Sequence, residues 1–349
     1  MRRPPPPRPR PTLIEPIAPE PARNAGSGDP RPFRLHAGRA MTTLIFTHPD
    51  YRDHDTGPGH PERPERIEIV WQVLDREEFR RLERRMAPEA EVEQLAWVHE
   101  PAYVEAVLTA IPETGHARLD ADTLLSPGSR SAILRAAGAV CAAVDAVLAG
   151  EARNAFCAVR PCGHHAEPAR AMGFCLFNNI AVGAEHARKR HGLKRVAVVD
   201  FDVHHGNGTQ AMFFDDPDLF FASTHQSPLY PGTGQPSERG VADNIVNAPL
   251  EPYSGSAEFR QAMERIVLPA LDAFAPELLL ISAGFDAHAR DPLAQLNLTG
   301  PDFEWATRRL MAVADKHCGG RVVSALEGGY DATGLAEGCA AHLSALIRA

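Results

Sequence analysis

The chain lacks long apolar runs. Nowhere in its 349 residues do about 18 apolar side chains follow one another, so no segment is expected to span a membrane. It also lacks paired cysteines. The six present, Cys141, Cys157, Cys162, Cys175, Cys318 and Cys339, show no Cys-x-x-Cys spacing, and several sit among apolar or small residues. That usage argues against structural disulfides and fits a reduced, cytoplasmic protein. A basic excess is missing as well. Lys and Arg number 36 against 45 Asp and Glu, for a formal charge of -9. Broad binding to nucleic acid needs a basic stripe that displaces counterions from phosphates, so that class is disfavoured. No fixed-period repeat is present.

The first forty residues lack any apolar periodicity. They are rich in Pro and Arg, contain no stretch like the core of a secretory signal, and cannot bury enough surface to fold alone. Residues 1–40 therefore read as a disordered tail or an over-extended start, and residues 41–349 as the folded unit. From there the pattern changes. "TTLIFT" (42–47), "NAFCAV" (154–159), "RVAVVDFD" (195–202), "LFFAST" (219–224), "ELLLISA" (277–283) and "RVVSAL" (321–326) are short apolar strands. Between them, helices are expected over 67–82, 101–111, 129–150, 179–192, 258–274, 303–317 and 334–349. Continuously apolar strands alternating with helices indicate a parallel sheet covered on both faces. In such sheets ligands bind beyond the carboxyl ends of the strands.

Four polar clusters stand at those ends. After the strand at 195 comes "VDFDVHHGNGTQ" (199–210). On an extended strand Asp200, Asp202 and His204 share one face and Phe201, Val203 and His205 the other. Two acids and an imidazole leaving a buried strand are a ready ligand set for zinc, which accepts both donor types and in enzymes keeps a position open for water. Asp202 as a helix cap and His204 as a satisfied core histidine is the bland alternative. After the strand at 154 comes "VRPCGHHAEPARAMGFCLFNN" (159–179), where His164 or His165 would suit a general base beside a metal-activated water. Asp200 and Asn207 are free to orient such a base. "GFDAH" (284–288) adds Asp286, and "LEGGYD" (326–331) adds Tyr330, a phenol able to donate to a developing oxyanion. Together the clusters read as metal-assisted hydrolysis of a carbonyl compound.

These blocks, with "SAGFDAHARDPLAQLNLT", "ALEGGYD" and "DTLLSPGS", resemble the signature motifs of the zinc-dependent histone deacetylase family. That family includes bacterial histone deacetylase-like amidohydrolases, acetylpolyamine amidohydrolases and acetoin-utilisation proteins. The resemblance runs from about Thr47 to the C-terminus and is closer to the class II branch. It implies one large α/β domain of the arginase/deacetylase kind, with a mostly parallel sheet of about eight strands and helices on both faces. It implies zinc held by Asp202, His204 and Asp286, with His165 as the base toward a zinc-bound water and His164 as its electrostatic partner. Asp200 and Asn207 would orient the two histidines. Asn207 stands where some members carry Asp, which should leave His165 less basic. Tyr330 would polarise the acyl carbonyl, Phe174 and Tyr230 would wall an acyl-lysine tunnel, and the Gly173 carbonyl would help to position substrate. The carbonyls of Asp200, Asp202 and His204, with Ser223 and Thr224, resemble a structural potassium site.

The implied reaction is removal of acetyl or a similar acyl group from the ε-amine of lysine in proteins. Small acetylated amines such as acetylpolyamines present the same scissile bond. Relatives selective for polyamines carry an acid where this chain has Leu293, which favours acyl-lysine. Against that, Glu62, Asp120 and Asp122 are acids that could face the rim. An arginase-like enzyme with two metal ions would need further ligands. A catalytically silent acyl-lysine binder would have lost Tyr330, a histidine or a ligand, and all are present. Charge and hydropathy thus argue against nucleic acid and membrane partners, and the resemblance allows homo-oligomers.

Overall fold

The sheet is built outward from its most apolar strands. A computed structural model of the protein describes residues 43–348. The tail expected to be disordered over 1–40 lies outside the described residues. Eight strands form the sheet: β1 (Thr43–Thr47), β2 (Glu83–Met86), β3 (Asn154–Cys157), β4 (Val196–Asp200), β5 (Leu219–Gln226), β6 (Ile245–Leu250), β7 (Leu278–Ala283) and β8 (Val322–Leu326). Their order is β2-β1-β3-β8-β7-β4-β5-β6, and every neighbouring pair is parallel. The architecture is thus the single α/β layer structure expected. β4 (VAVVD), β7 (LLLISA) and β8 (VVSAL) are buried at every position, as a sheet with both faces covered requires.

The strand order decides where the site can form. β3, β8, β7 and β4 are neighbours at the centre, although they are far apart in sequence. Parallel pairing puts all four carboxyl ends on one rim. The loops "RPCGHH", "EGGYD", "GFDAH" and "FDVHHGN" therefore leave the sheet side by side, where ligand crevices open in doubly wound sheets.

Three local expectations change. The helix read over 67–82 ends at Leu74, and the chain then turns into β2. Two strands, β2 and β6, were not expected. β2 is a mostly exposed "ERRM" edge, and β6 carries Pro249, tolerated because this strand is the other edge. The strand read over 195–202 stops at Asp200.

One helix qualifies the membrane reading. Ser129–Leu148 is long and apolar enough to cross a bilayer by length and composition. In the fold 72% of its most apolar window is buried, so here it is a core helix, packed on the helix Asn179–His191.

Candidate active site

Asp200 is the last residue of β4, and the chain beyond it curls instead of continuing as a strand. The amide of Asp202 donates to Asp200 Oδ1 at 3.0 Å, and that of His204 donates to Asp202 Oδ1 at 2.9 Å. The three side chains converge through these turns rather than through strand alternation, which corrects the reading of a shared strand face. The loop after β7 delivers Asp286. Its Oδ1 accepts from Val203 N at 2.8 Å, while Asp202 Oδ2 accepts from Gly328 N at 2.7 Å. Asp286 is thus anchored by one oxygen and offers the other, while Asp202 is held by backbone amides at both oxygens. His204 Nδ1 lies 3.2 Å from both Asp202 Oδ1 and Asp286 Oδ2, and the three residues present donor atoms within 4.8 Å of one another.

Burying this set has an electrostatic cost. Burial and the neighbouring Asp202 push the Asp286 carboxyl up to about 7. Burial acts the same way on Asp202, but His164 and His204 overrule it and hold that carboxyl far below its usual range. Burial would depress His204, yet the two carboxylates drive it up to about 10. Two carboxylates and an imidazole with a common focus fit a divalent cation of the zinc type. Gly284 and Gly328 leave the room: a Cβ at Gly284 would collide with Asp202, and one at Gly328 with Asp286.

The loop after β3 brings two histidines over this focus, with ring centroids 4.0 Å apart. His164 Nδ1 meets Asp200 Oδ2 at 2.9 Å. Burial would depress this imidazole, but Asp200 and Asp202 raise it well above its usual value, so it carries charge. His165 Nδ1 meets Asn207 Oδ1 at 2.8 Å. Burial, then the nearby His164 and His204, hold His165 well below its usual value, as a neutral ring. The Asn207 amide nitrogen donates to Glu167 at 2.8 Å, so its oxygen is the atom that faces His165. Nδ1 of His165 therefore carries the proton, and Nε2 is left as an acceptor.

Aromatic rings frame the approach. Tyr230 stands edge-on to His165 at 5.2 Å and is 41% exposed, which puts it at an opening. Phe174 packs edge-on against Tyr330 at 5.8 Å and against His60 at 4.7 Å. The Gly173 carbonyl faces the thiols of Cys162 and Cys175. Tyr330 is buried, and burial raises its phenol well above the usual range, so it is a protonated donor. Its amide donates to Asp291 Oδ2 at 2.7 Å, and Leu293, half-buried, follows on the same loop with its amide on Asp291 Oδ1. His205, on the far side, bonds Thr233 and Gln210. Ser223 bonds His225, and buried Thr224 Oγ1 has no hydrogen-bond partner among the described residues.

Of the three acids considered for the rim, Glu62 is not there. It is fully buried and paired with Arg160 at 2.6 Å and Arg66 at 2.9 Å. Asp120 and Asp122 are partly exposed and lie close enough to Tyr230 to raise its phenol after burial has done so. Sequence reading missed two groups. Glu327 accepts from the amides of Gly163 at 2.7 Å and His164 at 3.2 Å, and burial pushes its carboxyl up to about 7. It follows the apolar β8 as Asp200 ends β4, so the signal used for Asp200 was available. Arg66 donates to Gly329 O at 2.7 Å and Glu327 O at 2.6 Å and lies over the Tyr330 ring at 4.9 Å. A contact across 263 residues leaves no local trace.

Fold and site together define an α/β enzyme with a buried carboxylate–imidazole centre. Residues 60–346 match the histone deacetylase domain. The chain is 46% identical over 278 residues to a histone deacetylase-like amidohydrolase of Pseudomonas aeruginosa, spanning 78% of this chain and 73% of the relative. It is 40% identical over 300 residues to a probable deacetylase of Archaeoglobus fulgidus, spanning 84% and 83%. The crystal structure of the HDA15 HD domain superposes with a TM-score of 0.84 at 33% identity, covering 89% of each chain. The chain belongs to the histone deacetylase family. It is a deacetylase, a hydrolase of amide bonds.

Proposed function

We propose that the chain removes acetyl or similar acyl groups from lysine ε-amines in proteins, using zinc held by Asp202, His204 and Asp286. The observation that carries this reading is the focus of their three donor atoms beside the His164–Asp200 and His165–Asn207 pairs. Zinc, when bound there, supplies Lewis acidity toward the acyl carbonyl and lowers the pKa of a water. His165 Nε2, the unprotonated nitrogen, takes a proton from the attacking water and returns it to the leaving amine. Charged His164 lends its field to the negative charge that develops. The Tyr330 hydroxyl donates to the acyl oxygen, a contribution of about 3 kcal/mol per donor in comparable sites. Arg66 and Asp291 hold the Tyr330 loop in register. Phe174 and Tyr230 wall an apolar channel suited to a methylene stem, and Leu293 lines the approach, whereas the Gly173 carbonyl, expected to position substrate, is turned to the two thiols. The buried, unpartnered hydroxyl of Thr224 beside Ser223 supports a potassium ion coordinated with the carbonyls of Asp200, Asp202 and His204. Six free, buried thiols fit a reducing compartment such as the cytoplasm.

One observation favours small cationic amines as a second substrate class: Asp120 and Asp122 stand beside Tyr230, where they would attract a distant ammonium. A comparison of rates on acetyl-lysine peptide, trifluoroacetyl-lysine peptide and N-acetylputrescine, with and without chelator, separates the two. Acetyl-lysine peptide should be the faster acetyl substrate, and chelation should abolish turnover. His165→Ala and Tyr330→Phe should each lower the rate by at least about a hundredfold while zinc stays bound. Near-normal turnover by either variant rules out the assigned roles.

A further inference from the structure

Two of the cysteines lie side by side beneath the catalytic loop. Cys162 Sγ and Cys175 Sγ are 3.4 Å apart, and both thiols point at one acceptor, Gly173 O, at 3.8 and 3.4 Å. The pair ties together the two arms of the loop. On the first arm Cys162 precedes Gly163 and His164, whose amides hold Glu327. On the second, Cys175 follows Gly173 and Phe174. The Gly173 backbone lies against the working ring: a Cβ there would stand 2.5 Å from His165 Cδ2 and 3.1 Å from Tyr230 Cε1. Phe174, which is partly exposed, is packed on the two cysteines.

We propose that Cys162 and Cys175 form a redox-active dithiol that a peroxide closes to a disulfide, and that closure switches off the site above it. The inference goes beyond deacetylation and concerns chemistry at sulfur. Cys162 is the entry point. It is the less buried of the two, at 2% against 0%. The Cys162 sulfur attacks hydrogen peroxide: an S–O bond forms, the O–O bond breaks, and the leaving hydroxide takes up the thiol proton as water. The Cys175 sulfur then attacks the sulfenic sulfur. The S–S bond forms, the S–O bond breaks, and a second water leaves with the Cys175 proton. Two thiols and one peroxide become one disulfide and two waters.

Closure has a mechanical consequence. A disulfide brings its sulfurs to about 2.05 Å, so the two side chains must turn toward each other by more than an ångström and pull on the arms that carry them. Gly173 O loses both S–H donors in the same event. Its backbone has no slack, because movement toward the channel presses on His165 and Tyr230.

Zinc-loaded enzyme treated with hydrogen peroxide, alkylated and digested with trypsin should yield peptide 154–170 joined to peptide 171–188. The link should be absent from Cys162→Ser and Cys175→Ser. It should persist in Cys157→Ser, which shares the first peptide. The deacetylation rate of the wild type should fall at least about fivefold and return with dithiothreitol, while Cys162→Ser resists peroxide. Cysteines that stay as thiols, or reach sulfinic acid singly, overturn the proposal. So does a link that leaves the rate unchanged, or inactivation that persists in Cys162→Ser. The wild-type peptide map reads the bond without relying on any variant's folding, and without relying on the deacetylase reaction.

Discussion

Asn207 determines which nitrogen of His165 is free. Its amide nitrogen is committed to Glu167, so its oxygen takes the Nδ1 proton and fixes the tautomer without adding charge. Asn207→Asp would add a carboxylate at the same 2.8 Å contact and raise the His165 pKa. The acidic limb of the kcat/KM–pH profile should therefore move to higher pH; a limb that stays put would show that another group sets it. Residues such as His164, His165, Asp202 and Asp286 were legible because each follows an apolar strand, where charge needs a reason. Glu62 and Arg66 were not. Their meaning lies in a buried Arg160–Glu62–Arg66 chain that reaches the Tyr330 loop, and the partners are joined only by the fold.

At the scale of elements, the two glycines flanking the ligand set matter more than their size suggests. Gly328 follows β8 and donates its amide to Asp202, while its missing Cβ leaves space for Asp286. Gly328→Ala should displace both carboxylates and weaken zinc affinity by at least about tenfold, read by competition with a chromophoric chelator. Unchanged affinity would mean that the loop can shift without moving its ligands. The central strands were readable from apolarity alone because both their faces are covered. The two edge strands were not, since one is charged and exposed and the other carries Pro249. Even the correct grouping of Asp200, Asp202 and His204 had a different cause from the expected one, because the turns after β4 had no sequence signal apart from the acids that make them.

For the whole molecule, each buried neutral histidine takes stability away in acid. Burial pulls His54 and His342 to about 3, and His99 and His225 to about 4. His205 falls to about 3 as well, through burial and then His225. Unfolded, each would titrate near the ordinary 6.5, so the unfolded chain binds more protons below that pH and stability falls as pH falls. Glu327 and Asp286, whose carboxyls are pushed up to about 7, and His164 and His204, held above the usual imidazole value, act in the opposite sense, so the share of one ring is read by removing it. Between pH 6.5 and 5 the melting temperature of His342→Gln should therefore lose less, relative to its own value at pH 6.5, than that of the wild type. Parallel profiles for the two proteins would contradict the burial of His342 as a neutral ring.

The core helix Ser129–Leu148 carries a consequence of another kind. A secretion channel inspects a chain before it folds, and it weighs apolar length rather than final burial. Routed through such a channel by a fused leader, this polypeptide would offer the lateral gate a segment fit to stop there. The residues that knit the interior together would thus make passage of the unfolded chain through such a channel hazardous.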